Sequence, residues 1–224
     1  MKRKHRRKTR FRRRLRVYTR LGTFLLISIM VVLVGMKVLE LGPFGDEYVE
    51  RKQERMRVSK PDIEVELLTV NPYSRPGSKT QKIRNIVIHY TANPGTSAKQ
   101  NRNYFEGLKA SKKTRASSHF IVGIDGEIIQ CVPTAEVAYA SNNRNSDTVS
   151  IETCHLKKDG AYTEDTYNSL VHLTAWLCEK FNLTEEDIIR HYDITGKICP
   201  KYFVDNEEAW SDFKVDVKKM LEER

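Results

Sequence analysis

Acidic residues are missing from the first 20 positions, and cysteine is scarce throughout. The 224-residue chain has four cysteines, Cys131, Cys154, Cys178 and Cys199. That is too few to staple a disulfide-framework domain. There is no internal repeat, and a composition of 39% hydrophobic and 30% charged residues excludes collagenous, low-complexity and wholly disordered chains. The formal net charge of +10 points at first to a nucleic-acid partner. However, residues 1–20 hold 12 of the 39 Lys and Arg and none of the 29 Asp and Glu. The other 204 residues, with 27 basic and 29 acidic side chains, are net −2. Such a body lacks the basic footprint of a nucleic-acid binder, so no nucleic acid is expected as a partner.

Long uncharged runs are also rare. LGTFLLISIMVVLVGM, residues 21–36, has 16 residues, about 24 Å of helix at 1.5 Å per residue. A bilayer core asks for about 20. Lys37 can snorkel to the interface, which extends a spanning helix over residues 21–41. A cleaved leader is the alternative, but no clear small-x-small cleavage site follows Gly35 and the basic region is long. The predicted organisation is a basic cytoplasmic tail (1–20), a transmembrane anchor (21–41), a charged stalk (42–60) and a globular domain (61–224). Basic flanks stay in the cytoplasm. The prediction is therefore a single-pass cell-membrane protein, anchored through its N-terminal helix, with its domain outside the cell.

Within the domain, strand-like and helix-like runs alternate. Ile83–Tyr90 is nearly continuous in apolar character and reads as a buried strand. Ser97–Leu108 reads as a helix. His119–Ile124 and Glu127–Val132 flank Asp125-Gly126, a hairpin signal. Val149–Cys154 reads as a strand. Asp165–Phe181 has clear helical spacing. Thr184 with Asp187 suggests the cap of a short helix, and Glu207–Leu221 is amphipathic. The expected fold class is α/β, a central mixed sheet flanked by helices.

His89 ends the first buried strand, while His191 and Cys199 bracket the loop HYDITGKIC. Two imidazoles and a thiolate suit Zn²⁺ and leave a fourth position open, as catalytic zinc sites do. Glu152, a carboxylate within an apolar strand, has the chemistry of a general base. Lys197 has the charge to stabilise an oxyanion. Spacing alone leaves the plainer readings open: three unconnected residues, an edge glutamate facing solvent, and a surface lysine.

IVIHYTANPG, SSHFIVGIDGEIIQ, SIETC and RHYDITGKICP together resemble the type-2 N-acetylmuramoyl-L-alanine amidases, which share their fold with peptidoglycan recognition proteins. The resemblance covers about residues 80–204. It implies one zinc ion held by His89, His191 and Cys199, a catalytic base at Glu152 and a catalytic lysine at Lys197. It also implies peptidoglycan as substrate, cut between N-acetylmuramic acid and L-alanine. A bacterial, membrane-anchored wall hydrolase acting as a monomer is expected. The alternative is a module that binds peptidoglycan without cutting it. Two positions depart from the family pattern: Ala138-Tyr139-Ala140 stands where Trp-His-Ala is frequent, and Ser118 where a Tyr is frequent. Both are expected at the substrate groove.

Asn93, His119 and Tyr139 are the expected substrate-binding residues, with Asn93 equally suited to shaping the turn and His119 to a structural or groove-lining role rather than a catalytic one. His155 is expected to be exposed, and His172 to lie on the polar face of its helix. His5 belongs to the basic tail. Cys131, Cys154 and Cys178 read as small core residues, with a Cys131–Cys154 disulfide as an option outside the cell. Tyr192 and Asp193 are suited to orienting the ligand loop. No H-E-x-x-H occurs, and no H-x-E with P-C-x-x-C, which argues against a zincin protease or a zinc deaminase.

Overall fold

A computed structural model describes residues 57–223. The predicted tail, anchor and most of the stalk, and His5 with them, lie outside the described residues. Among the described residues, no helix is long and apolar enough to cross a membrane.

Six strands form one sheet: β1 (Glu64–Val65), β2 (Asn85–Tyr90), β3 (Phe120–Val122), β4 (Ile128–Gln130), β5 (Thr148–Thr153) and β6 (Ile188–Arg190). Their spatial order is β1-β4-β3-β5-β2-β6. The β3–β4 hairpin is antiparallel, and every other pair is parallel. Parallel strands need covered crossovers and buried faces, and β2 and β5 are buried on both faces along most of their length.

Side chains alternate across the sheet, so each face has its own packing. Ile86, Ile88, Phe120, Val122, Val149 and Ile151 point to one face. There they pack beneath α2 (Glu164–Phe181) and α5 (Glu207–Glu222). α2 begins at Thr163, whose hydroxyl accepts from Thr166 N–H, and ends at Asn182 in a left-handed conformation. Its C-terminal half is buried nearly all round, from Leu173 to Cys178, because it lies between the sheet and α5. α5 answers with Trp210, Phe213 and Val217 on one stripe.

On the other face, Ile121 and Ile129 meet Phe105 and Leu108 of α1 (Ala98–Ser111). A Ser97–Gln100 capping box starts α1. α1 lies over β3 and β4. The ends of β5, β2 and β6 on this face are thus left uncovered by it.

The predicted hairpin forms with shorter strands, because Gly123 N–H donates to Glu127 O at 2.7 Å and closes the connection early. Gly126 has φ +81°, and a Cβ there would lie 2.8 Å from Ser169 Oγ and 3.0 Å from Asp165 O. The turn therefore requires glycine.

Two sequence expectations need correction. Val58, assigned to the stalk, is 5% exposed and packed in the core. The Glu179 carboxylate accepts from the N–H groups of Arg57 and Val58, each at 2.8 Å, so the domain begins before residue 61. The Cys131–Cys154 disulfide does not form, since all four cysteines are free and buried. Cys131 follows β4 and Cys154 follows β5, on opposite sides of β3. Two strand spacings, about 10 Å, exceed disulfide reach. Four short elements had no sequence signal: β1, β6, α3 (His191–Thr195) and α4 (Lys201–Asp205).

Leu173 is fully buried between the sheet and α5. Leu173→Ala is expected to lower the unfolding free energy by about 2–5 kcal/mol, read as a shifted urea midpoint at unchanged slope. An unchanged midpoint would contradict the packing described.

Candidate active site

The site is built by strand register. β2 and β5 pair with His89 opposite Glu152, one residue before the end of each strand. β2 and β6 pair with Ile88 opposite Arg190, so the next residues, His89 and His191, come level. Glu152, His89 and His191 thus end three adjacent parallel strands in one row. Carboxyl ends of parallel strands are where open α/β sheets place their ligands.

Cys199 arrives by a loop. α3 ends at Gly196, which has φ +74°, and the chain turns back. Tyr192 N–H then donates to Cys199 O at 2.9 Å. This brings Cys199 Sγ to 3.8 Å from His89 Nδ1, and the His89 and His191 rings lie 4.7 Å apart. One ligand atom each from His89, His191 and Cys199 falls within 4.8 Å of the others, and all three residues are buried. A cavity of about 390 Å³ opens over them, lined also by Glu152, Lys197, Arg115, Tyr139 and Asn142.

The electrostatics are those of a desolvated polar cluster. Burial, with His191 and Lys197 nearby, holds His89 well below the ordinary histidine value. Burial and Lys197 lower His191 in the same sense. Burial pushes the Cys199 thiol up to about 12, Glu152 adding to the rise and Lys197 opposing it. Burial raises Glu152 to about 8, with Lys197 opposing. Three buried atoms of these site residues lack a hydrogen-bond partner: His89 Nε2, His191 Nδ1 and Glu152 Oε2. Each such atom costs about 1–3 kcal/mol when left bare. Two imidazoles and a thiol, each with one ligand atom within 4.8 Å of the others and with His191 Nδ1 unpartnered, fit a zinc ion.

Of the expected substrate-binding residues, Tyr139 lines the cavity, with the Arg115 guanidinium 5.9 Å from its ring centroid. His119 does not. Its Nδ1 accepts from Ser150 N–H at 3.0 Å and its Nε2 donates to Glu136 O at 2.9 Å, so both nitrogens are spent on holding β3 to its surroundings. Asn93 is exposed in the turn after β2 and is not among the cavity residues. Its carbonyl accepts from Thr96 Oγ1 at 2.7 Å. Ser118, expected at the groove, is buried and donates to Phe120 O at 2.8 Å. That departure is structural.

His155 is 1% exposed rather than solvent-facing. It donates from Nδ1 to Lys157 O at 2.7 Å and stacks on Tyr90. His172 is partly exposed, with Nε2 2.9 Å from Ser59 O. Asp193 braces α3, pairing with Arg190 and accepting from its N–H at 2.7 Å. Sequence reasoning missed Arg115 and Asn142. Each lies far from the ligands in sequence and in no motif, so only the folded chain reveals them.

Residues 79–202 match the family described as N-acetylmuramoyl-L-alanine amidase. The chain is 37% identical over 165 residues to N-acetylmuramoyl-L-alanine amidase CwlL of Bacillus licheniformis, covering 68% of this chain and 45% of that protein. It is 38% identical over 172 residues to N-acetylmuramoyl-L-alanine amidase BlyA of Bacillus subtilis, covering 67% and 45%. The chain thus spans about half the length of the curated relatives it matches. Among solved structures, the catalytic domain of XlyA superposes with a TM-score of 0.60 at 26% identity, covering 70% of this chain and 99% of that one.

Burial holds His119 down to about 4, against about 6.5 when unfolded. Between those values the unfolded chain binds more protons than the folded one. Stability of the zinc-free protein therefore falls as pH drops from about 6.5 to about 4. His89 and His191 shift in the same direction. His119→Gln should remove one share of that slope, up to about 1.4 kcal/mol per pH unit, measured by urea unfolding across this range. An identical slope in the variant would count against the buried neutral His119.

Proposed function

The chain belongs to the N-acetylmuramoyl-L-alanine amidase family, and on that premise we propose that it hydrolyses the amide between N-acetylmuramic acid and L-alanine in peptidoglycan, with zinc as cofactor. The observation that carries the reading is the row of His89, His191 and Cys199 beside Glu152 at the floor of one cavity. His89, His191 and Cys199 would hold the metal. Zinc bound there supplies Lewis-acid charge for the scissile carbonyl and acidifies a water.

The rest of the chemistry falls to the chain's own side chains. Glu152 Oε2 is buried and free of partners, so it is available to take the water proton and to return it to the leaving amine of L-alanine. Burial raises its affinity for protons, the direction that helps a carboxylate take up the proton it must pass on. Lys197, exposed at the cavity rim, provides a cation for the oxyanion. Tyr139 and Arg115 line the wall where the muramyl peptide would lie.

Membrane attachment through residues 21–41, with the domain outside the cell, belongs to the same proposal. It rests on the basic flank and the uncharged run. It would hold the domain next to its wall substrate.

The test uses residues 42–224 on purified peptidoglycan, with chelator and zinc add-back, counting new alanine amino termini and new reducing ends separately. Zinc-restored alanine termini without reducing ends are expected. Binding with neither product would favour a non-cutting recognition module. Glu152→Gln should retain zinc and lose about 10²–10⁴ in turnover, and normal turnover in it would remove Glu152 from its role. Loss of all cutting on removal of residues 1–41 would contradict the assignment of that segment to localisation.

A further inference from the structure

His191 Nε2 lies 3.0 Å from Asn142 Oδ1. An amide oxygen can only accept, so the proton sits on Nε2 and the lone pair on Nδ1. Nδ1 is the buried atom with no hydrogen-bond partner. It is therefore the nitrogen left free to join His89 and Cys199. A neutral imidazole without such an acceptor can carry its proton on either nitrogen and turn about its bond to Cβ.

The placement of Asn142 is built rather than incidental. Its φ is +54°, a left-handed conformation that asparagine tolerates better than other side chains with a Cβ. It starts the 3-10 turn Asn142–Arg144. Asn145 Oδ1 holds the approach to that turn, accepting from Ala140 N–H at 3.0 Å and Ser141 N–H at 2.6 Å. Arg144 holds the exit, donating to Asp147 Oδ1 at 2.9 Å and to Asn85 Oδ1 at 2.6 Å. That backbone conformation persists because these contacts on either side hold it. The turn packs against α3, the helix that begins at His191.

Resting on the metal reading above, we propose that Asn142 is a positioning residue that fixes the tautomer and orientation of His191, and so sets the affinity of the domain for zinc. Partners of this kind typically contribute about 10–100-fold in metal affinity.

The experiment measures zinc affinity of the full chain by competition with a chromophoric chelator, without substrate, for wild type, Asn142→Gly and Asn142→Asp. Glycine keeps the left-handed backbone and removes the acceptor, while aspartate keeps an acceptor in the same place. Asn142→Gly should bind zinc about 10–100-fold more weakly, with an unchanged unfolding midpoint in the metal-free state. Asn142→Asp should restore affinity to within about threefold of wild type. Nitrogen-15 histidine spectra of the metal-free protein should show a single Nε2–H tautomer at His191 in wild type and a mixture in Asn142→Gly. Equal affinity in wild type and Asn142→Gly would overturn the proposal, as would a loss that aspartate does not restore. A wild-type chain that binds no zinc would overturn the metal reading itself, and this role with it.

Discussion

Backbone pairing of β2 with β5 sets His89 opposite Glu152, and pairing of β2 with β6 brings His191 level with His89. Everything else at the site depends on that register. A slip of one residue on any of the three strands would turn its chemical side chain to the face packed by α2 and α5. There it would meet Ile86, Ile88 and Ile151. The two-sided burial of β2 and β5 is what fixes the register, because both alternating sets of side chains have a defined place to go.

The same burial imposes the site's cost. Two imidazoles, a thiol and a carboxyl are taken out of water with too few partners, and the bare atoms His89 Nε2, His191 Nδ1 and Glu152 Oε2 remain. The packed core on the α2 and α5 face, with Phe203, Phe213 and Leu173 fully buried, provides the stability against which this cost is set. α1 covers β3 and β4 and leaves the ends of β5, β2 and β6 open, so the cavity over the ligands lies on that face.

Around the ligands, the chain uses neutral and charged supports differently. Arg190, 8% exposed, ties Asp193, Glu207 and the Phe203 carbonyl together and fixes where α3 starts. Asn142 acts on His191 itself, through one hydrogen bond. His119, equally buried, spends both nitrogens on backbone groups of its surroundings and has none left for a ligand.

The sequence by itself determined the long elements, because the apolar run in β2, the apolar alternation of Val149 and Ile151 in β5 and the helical spacing of α2 and α5 are local signals that burial turns into structure. Through the family resemblance of its motifs it also pointed to His89, Glu152, His191, Lys197 and Cys199, which the fold brings to one cavity. It could not determine β6 or α3, each of three to five residues and too short to show a period. It misjudged His155 and Ser118, whose burial comes from neighbours distant in the chain. Only the tertiary structure decided that Cys131 and Cys154 flank β3 from opposite sides, that Val58 belongs to the core, and that Asn142 meets His191 across 49 residues of sequence. These are matters of which strand lies beside which, and periodicity along one chain carries no record of that.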